Sequence, residues 1–176
     1  SGDHLDAFYK TFDDIEDERF DGMIITGAPV EQLDFHEVNY WEELKGIFDW
    51  SLTHVYSTLH VCWGAFAALW HHYGIRKHPL AEKLFGIFEH EVLRPSNPLV
   101  RGFDDRFFVP HSRHTGLNLK ILPQFPLYLA AVPALRVLAS GRRTGPFLLS
   151  TENGRQIFVT GHPEYDLFTL DAEYRR

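Results

Sequence analysis

The sequence predicts an α/β fold, and observations on both halves of the chain support this prediction. In the first half, segments with a helical period alternate with short apolar strands, which is typical of an α/β domain with a largely parallel sheet. In the second half, after Pro79, short β-type segments follow one another and are separated by turn residues. A final helical pattern reaches the end of the sequence at Arg176.

The elements of the first half follow from hydrophobic spacing and from the residues that interrupt it. Leu5, Phe8, Phe12 and Ile15 recur at spacings of three and four, so they share one face of a helix. A short apolar run that ends in Gly and Pro indicates a buried strand that leads into a loop. Gly74 is the residue type that commonly ends a helix. The predicted elements are helices over 3–16, 40–50 and 65–73, and strands over 21–29 and 57–61.

The second half is predicted to contain shorter strands and one helix. Gly154 lies between two strand patterns and indicates a hairpin. The segment 116–133 fits neither the helical period nor the strand period. The predicted elements are strands over 84–88, 107–109, 136–139, 147–150 and 156–160, and a helix over 166–176.

Length, composition and charge limit the possible classes of protein. The 176 residues suit a single domain over 1–176, with 44% hydrophobic and 23% charged residues. The formal charge of −7 offers no basic surface for nucleic acid. The apolar runs are too short for a membrane span or a signal peptide. One cysteine cannot form an intrachain disulfide, which fits a reducing cytoplasm.

The single cysteine lies where a strand pattern changes into a helix pattern. In the sequence STLHVCWGA, Cys62 follows the strand and precedes Trp63-Gly64-Ala65. A sharp turn from strand to helix exposes the side chain at the turn, and a helix N-terminus favours the thiolate, the reactive form. We therefore predict a nucleophile. The alternative is a small buried apolar residue.

A nucleophilic cysteine needs a base, and the sequence QIFVTGHPE offers one. His162 and Glu164 follow a predicted strand, and the carboxyl ends of strands carry the chemistry in α/β sheets. Pro163 fixes a backbone torsion between them, which helps Glu164 to orient His162. Cys62, His162 and Glu164 then form a nucleophile, a base and an orienting carboxylate.

Other polar clusters give a weaker prediction. His71, His72 and His78, or His111 with His114, could suggest zinc, but neither a second cysteine nor a carboxylate motif completes a site. We therefore predict no metal.

Five sequence segments together resemble one known family. They are HVCWGA, GIFEHEVL, LVRGFDD, PHSRHT and VTGHPEYD, in that order along nearly the whole chain. They resemble the MetA family of homoserine O-acyltransferases, a branch of the class I glutamine-amidotransferase-like superfamily. The resemblance implies a flavodoxin-like three-layer α/β/α sandwich. It also implies transfer of an acyl group from a CoA thioester to homoserine, in methionine biosynthesis.

The resemblance assigns roles to particular residues. Cys62 would accept the acyl group as a thioester, His162 would be the general base, and Glu164 would assist it. The Trp63 N–H, with a donor from the loop 27–29, is the candidate oxyanion hole. The residues expected to hold the amino-acid acceptor are Lys83, Ser112, Arg113, Glu173 and Arg176.

Glu31 is predicted to select the acyl group. In the family, glycine at this position leaves room for succinyl, whereas a glutamate would crowd and repel its negative end. We therefore expect homoserine O-acetyltransferase activity, with acetyl-CoA as a co-substrate and no resident cofactor. The alternatives are succinyl transfer, serine as the acceptor, a glutamine-hydrolysing amidotransferase and a non-catalytic binding protein.

The resemblance also carries expectations about the whole protein. Family members are longer at both ends, so the chain is expected to be a fragment that lacks an N-terminal core strand and a lysine near the active site. We also expect a homodimer that is located in the cytoplasm. It is expected to act on small molecules and not on nucleic acid or membranes.

Overall fold

The computed structural model describes residues 9–117 and 135–175, which form one sheet with helices. The strands are β1 (Phe20–Ile25), β2 (Val55–Val61), β3 (Lys77–Val92), β4 (Arg106–Leu117), β5 (Leu135–Gly141), β6 (Gly145–Thr151) and β7 (Gln156–Val159). The α-helices are α1 (Trp41–His54), α2 (Trp63–Tyr73) and α3 (Leu167–Tyr174), and short 3₁₀ helices lie at Phe35–Glu37 and Pro98–Val100.

The seven strands form a mixed sheet in the order β1-β2-β7-β6-β5-β3-β4. Strand β2 pairs in parallel with β1 and with β7. The other described pairs are antiparallel. The prediction of a largely parallel sheet is therefore wrong. Parallel pairing needs crossover connections such as α1, and the alternation of helix and strand ends after α2.

Two apolar clusters lie on opposite faces of this sheet. Leu149 and Phe158 belong to a cluster that includes Phe48 of α1 and Phe66 of α2. Their chain neighbours Leu148 and Val159 belong to a second cluster, as the alternation of side chains along a strand requires. The α/β class is confirmed. In the described residues both long helices contribute to one cluster, and neither contributes to the other.

Most predicted elements are present, and several are longer than predicted. The predicted strand 84–88 is the middle of β3, which has 16 residues. The predicted hairpin is confirmed, because β6 and β7 pair antiparallel across Gly154, whose φ is +70°. The strand predicted over 21–29 is the edge strand β1, and it is not buried, since Ile24 is 65% exposed.

The helix predicted over 3–16 is wrong for its described part. Residues 9–11 have no regular structure, and residues 12–17 form a bend and turns, in which the Ile15 N–H donates to Phe12 O at 2.9 Å. The Asp14 carboxylate accepts from both the N–H and the hydroxyl of Thr11, a local bond that competes with helix formation. Residues 3–8 and most of 116–133 lie outside the described residues. No helix within the described residues is long and apolar enough to cross a bilayer.

Candidate active site

Cys62 occupies the sharp turn that the sequence predicted. Strand β2 ends at Val61 and α2 begins at Trp63. Cys62 itself has φ +50° and ψ −119°, and it is the non-glycine residue with positive φ among the described residues. Such a conformation costs about 1–3 kcal/mol and persists only where its surroundings hold it. The Cys62 N–H donates to Val159 O at 2.8 Å, and the Cys62 carbonyl accepts from the N–H of Ala65 at 3.0 Å.

Two glycines let the backbone approach this turn closely. A Cβ at Gly64 would lie 2.8 Å from both Ile25 O and Thr26 O. A Cβ at Gly27 would lie 3.3 Å from Cys62 Cβ and 3.5 Å from the backbone nitrogen of Trp63. The loop after β1 is therefore held directly against the turn that carries the cysteine.

The Cys62 thiol is buried, and this determines its charge. Burial, followed by the negative charge of Glu31, raises the pKa of Cys62 to about 12, although the Trp63 N–H and the guanidinium of Arg113 oppose the shift. The predicted effect of the helix N-terminus is present, since the Trp63 N–H lowers the pKa, but burial and Glu31 outweigh it. At neutral pH the sulfur retains its proton.

His162 is held by its neighbours on three sides. Its Nδ1 lies 2.9 Å from Glu164 Oε1. The ring of Tyr165 stacks on the imidazole, with centroids 4.1 Å apart and planes inclined by 10°. The His162 N–H donates to Pro110 O at 2.9 Å, which ties the loop after β7 to β4. Because a carboxylate accepts, Nδ1 carries a proton, which leaves Nε2 as the ring nitrogen that can exchange a proton with a substrate.

One cavity of about 820 Å³ brings most of the predicted site residues together. The predicted residues in its wall are Cys62, Trp63, His162, Glu164, Glu31, Lys83, Ser112 and Glu173. The described residues show no hydrogen bond between Cys62 Sγ and His162, although both line the cavity. The loop after β1 forms the rest of the wall, with His114 and Tyr165.

Glu31 is fixed in the cavity wall. Its Oε2 accepts a hydrogen bond from the His114 N–H at 3.1 Å. Its backbone carbonyl accepts from the ammonium of Lys77, which also donates to Leu33 O at 2.7 Å. The carboxylate therefore has a defined position near the Cys62 thiol, whose pKa it raises.

Two of the predicted acceptor-binding residues are not in the described wall of the cavity. Arg113 is 1% exposed, and its guanidinium donates to Thr144 O at 2.7 Å and to the carbonyl of Thr115. Burial lowers its pKa to about 10, which still leaves it charged at neutral pH. Arg176 lies outside the described residues. The roles of both in holding the acceptor stay predictions.

Sequence reasoning did not place Tyr165 or His114 in the cavity wall. Tyr165 adjoins the histidine motif in the sequence HPEYD, and that adjacency could have pointed to it. His114 was considered only as a metal ligand, whereas the structure uses its backbone N–H to hold Glu31. Backbone roles of this kind leave no signal in residue type.

One cluster of possible metal ligands lies on the helices. Donor atoms of Asp49, His71 and His72 lie within 4.8 Å of one another. His71 Nε2 lies 2.7 Å from Asp49 Oδ1, as expected for a hydrogen-bonded surface pair. That pair and the packing of both histidines on Phe48 account for the arrangement. We assign no metal to it.

The fold defines the class of protein to which this site belongs. The chain is similar to a glutamine amidotransferase from Thermotoga maritima, with a TM-score of 0.64 and 13% identity over 86% of this chain and 60% of that one. It is also similar to the glutaminase domain of Trypanosoma brucei CTPS, with a TM-score of 0.63 and 11% identity over 89% of this chain and 72% of that one. These similarities show a glutamine-amidotransferase-like fold.

Sequence comparison then identifies the family. The model of the homoserine O-succinyltransferase family matches residues 1–176, and the chain belongs to that family. A homoserine O-acetyltransferase from Acetivibrio thermocellus is 56% identical over 99% of this chain and 55% of the relative. One from Bacillus subtilis is 53% identical over 99% of this chain and 56% of the relative. The chain thus spans about half the length of these curated relatives.

Proposed function

We propose that the chain carries the acyl-transfer site of a homoserine O-acetyltransferase, and that Cys62 forms an acyl-thioester intermediate. The observation that carries this proposal is the strained turn at Cys62, beside a cavity that His162 and Glu164 also line. A nucleophile, a base and an orienting carboxylate around one cavity are the requirements of covalent acyl transfer. The names of the relatives support homoserine as the acceptor and acetyl as the acyl group.

The first half-reaction transfers the acyl group to the enzyme. His162 Nε2 takes the proton from Cys62, and the sulfur attacks the carbonyl carbon of acetyl-CoA. The bond from that carbon to the CoA sulfur then breaks, and the departing thiolate receives the proton from His162. One thioester replaces another, so the step is close to balanced in free energy. Because the resting thiol is protonated, proton transfer belongs to this step.

The second half-reaction transfers the acyl group to the acceptor. His162 removes the hydroxyl proton, the oxygen attacks the thioester carbon, and the bond to Cys62 sulfur breaks with return of the proton to that sulfur. The Trp63 N–H lies at the N-terminus of α2, where it can donate to the oxyanion. Gly27 and Ala28 are the candidates for the second donor, since Pro29 has no N–H.

Glu31 supports the choice of acetyl. Its carboxylate accepts a hydrogen bond from the His114 N–H, and its backbone carbonyl accepts one from Lys77. A succinyl group on the sulfur would bring a second carboxylate into the same part of the cavity, whereas an acetyl group carries no charge. The family model is named for succinyl transfer, whereas the relatives are named for acetyl transfer. Glu31 is the residue proposed to discriminate between these two activities.

The acceptor is proposed to bind against three other residues of the cavity wall. Lys83, Ser112 and Glu173 line it. A homoserine zwitterion presents an ammonium group to a carboxylate such as Glu173 and a carboxylate to a cation such as Lys83. Acetyl-CoA as co-substrate without a resident cofactor, a homodimer and a cytoplasmic location are part of the same proposal, as is a single acyltransferase domain over 1–176.

The test is a competition for the cysteine. The protein is mixed with equal concentrations of acetyl-CoA and succinyl-CoA without an acceptor, and the adduct is identified by intact mass and peptide mapping. We expect acetyl on Cys62, its removal by homoserine faster than by serine, and no adduct on Cys62→Ala. A succinyl adduct would overturn the acyl choice, and the absence of any adduct would overturn acyl transfer by this chain.

Two variants separate the size of Glu31 from its charge. Glu31→Gly removes both and is expected to raise the succinyl fraction by roughly tenfold or more. Glu31→Gln keeps the size and removes the charge, so an intermediate result measures repulsion alone. Ammonia release from glutamine, measured on the same protein, tests the amidotransferase alternative, which the fold alone also allows.

A further inference from the structure

A chain of buried hydrogen bonds lies behind the wall of the cavity. His111 is 0% exposed, and His90 and Arg113 are each 1% exposed. Arg113 Nε lies 3.3 Å from His111 Nδ1, His111 Nε2 lies 3.1 Å from His90 Nε2, and His90 Nδ1 lies 2.9 Å from Phe88 O. The planes of the two imidazoles are inclined by 16°, so the two rings are nearly parallel.

The two ends of this chain fix the position of every proton in it. Arginine only donates and a carbonyl only accepts. Arg113 Nε–H therefore donates to His111 Nδ1, His111 Nε2–H donates to His90 Nε2, and His90 Nδ1–H donates to Phe88 O. The Thr144 hydroxyl lies 2.9 Å from the same His90 nitrogen. A further proton on either ring would place two donors against each other, so both histidines must be neutral.

The electrostatic surroundings agree with this assignment. Burial, followed by the positive charge of Arg113, lowers the pKa of His111 to about 2. Burial also lowers the pKa of His90, although its bond to Phe88 O opposes the shift.

His111 contacts both halves of the catalytic pair through its neighbours. A Cβ at Gly161 would lie 3.0 Å from His111 Nε2, so the imidazole packs directly on the backbone that leads into His162. On its other side it accepts from Arg113, whose guanidinium lies 5.7 Å from the centre of the Phe66 ring. The Phe66 N–H in turn donates to the Cys62 carbonyl at 3.2 Å.

We infer that His111, oriented by His90, is a positioning residue that holds the charge of Arg113 toward Cys62 and supports the backbone before His162. Arg113 then acts on the thiolate as a fixed positive charge, opposed by Glu31 and Glu164. This inference rests on the proposed function in that Cys62 is taken as the nucleophile. The role inferred for Arg113 is compatible with the burial of its side chain.

The test measures how fast iodoacetamide alkylates Cys62 between pH 7 and pH 10. Only the thiolate reacts, so the rate reports its population without any acyl donor. With the pKa of Cys62 at about 12, the wild-type rate should rise about tenfold per pH unit over this range. His111→Phe keeps a ring but loses both nitrogens, and Arg113→Met keeps much of the stem but loses the charge. Both should lower the rate at every pH by roughly threefold or more.

Two further variants separate this role from a structural one. His111→Asn retains an acceptor near the position of Nδ1, and it should recover part of the alkylation rate that His111→Phe loses. His72→Asn, which removes a partly buried histidine on α2, should leave the rate unchanged even where it lowers the melting temperature. Wild-type alkylation rates in folded His111→Phe or Arg113→Met would overturn the inference.

A measurement on the wild-type protein tests the inference even if the variants do not fold. Nitrogen-15 chemical shifts of the imidazoles should show His111 protonated on Nε2 and His90 protonated on Nδ1, both neutral from pH 8 down to pH 5. The opposite tautomers, or an imidazolium in this range, would contradict the inference. Neither readout uses an acyl donor, so a failure of acyl transfer is distinguishable from a failure of this proposal.

Discussion

Cys62 and His162 line the same cavity, yet they are held by different means. Cys62 sits between β2 and α2, and backbone hydrogen bonds to the sheet and within the helix fix it. His162 lies on the loop after β7, and its orientation depends on contacts with the side chains of Glu164 and Tyr165. The proposed nucleophile is therefore positioned by the core, and the proposed base is positioned by a loop.

Cys62 and the Glu164 carboxylate beside His162 also differ in their exposure to water. Cys62 is 7% exposed and its thiol has a pKa of about 12, whereas the Glu164 side chain is 55% exposed. A buried thiol that keeps its proton is protected from oxidation and from stray electrophiles. We therefore expect reactivity at Cys62 to arise when substrate and His162 meet in the cavity, and not from a resting ion pair.

The largest expected effect comes from removing the proposed base, His162. His162→Asn lacks the ring nitrogen that moves the proton, so the acyl-transfer rate should fall by roughly 10²–10⁴-fold. Because no ion pair holds the resting thiol, the rate of Cys62 alkylation by iodoacetamide should change by less than about twofold. Acyl-enzyme formation, followed by mass spectrometry, and alkylation are measured on the same preparation.

The control for this variant is His54→Asn at the end of α1, outside the cavity wall. It should leave both rates unchanged. A parallel loss of alkylation and acyl transfer in His162→Asn would mean that His162 already pairs with a Cys62 thiolate at rest.

A smaller effect is expected where the core holds the cysteine turn. A Cβ in Gly64→Ala would lie 2.8 Å from two backbone carbonyls, those of Ile25 and Thr26. Relieving that overlap moves the loop after β1 away from the turn, which should lower the free energy of unfolding by about 1–3 kcal/mol. The displacement should lower acyl transfer by roughly 10²-fold. Urea denaturation and acyl-enzyme formation measure the two.

Gly46→Ala provides the matched control for that substitution. Gly46 lies within α1, and an added Cβ there meets nothing within 4 Å. Alanine should raise the free energy of unfolding by about 0.5–1 kcal/mol, because it favours the helix over the unfolded chain. If Gly64→Ala had wild-type stability and activity, neither property would depend on the close approach of the loop after β1 to the Cys62 turn.

The sequence predicted the backbone geometry at Cys62 better than the pKa of its thiol. A strand pattern that runs into a helix pattern at Cys62 is local information, and the turn is confirmed with positive φ. The sequence predicted that the helix N-terminus favours the thiolate, but it did not predict the larger rise in pKa caused by burial and by Glu31, 31 positions earlier in the chain. Local sequence carries the backbone geometry, whereas electrostatics depends on distant parts of the chain.

The mixed sheet and the hydrogen-bond network around His111 were harder to predict from the sequence. Strand patterns at β3 and β4 were detected in part, but their pairing register includes a shift between Pro79 and Leu84. That register brings His111 close to His90, and a pattern of residue types does not specify it. The burial of Arg113 follows from the same pairing, so residue type alone could suggest only a charge that binds substrate.

The smallest expected effect comes from the exposed carboxylate of the base. Glu164→Gln keeps an oxygen that can accept from His162 Nδ1–H, so the tautomer with a free Nε2 remains possible. What it loses is the negative charge that stabilises the imidazolium formed during proton transfer, and water at this exposed position already screens that charge. We expect acyl transfer to fall by about tenfold, and further in Glu164→Ala, which removes the acceptor as well. Single-turnover rates of acetylation give both values. If Glu164→Gln lost as much activity as His162→Asn, the carboxylate would act on the reacting atoms with its full charge, and the division between a core-held nucleophile and a loop-held, solvent-screened base would not stand.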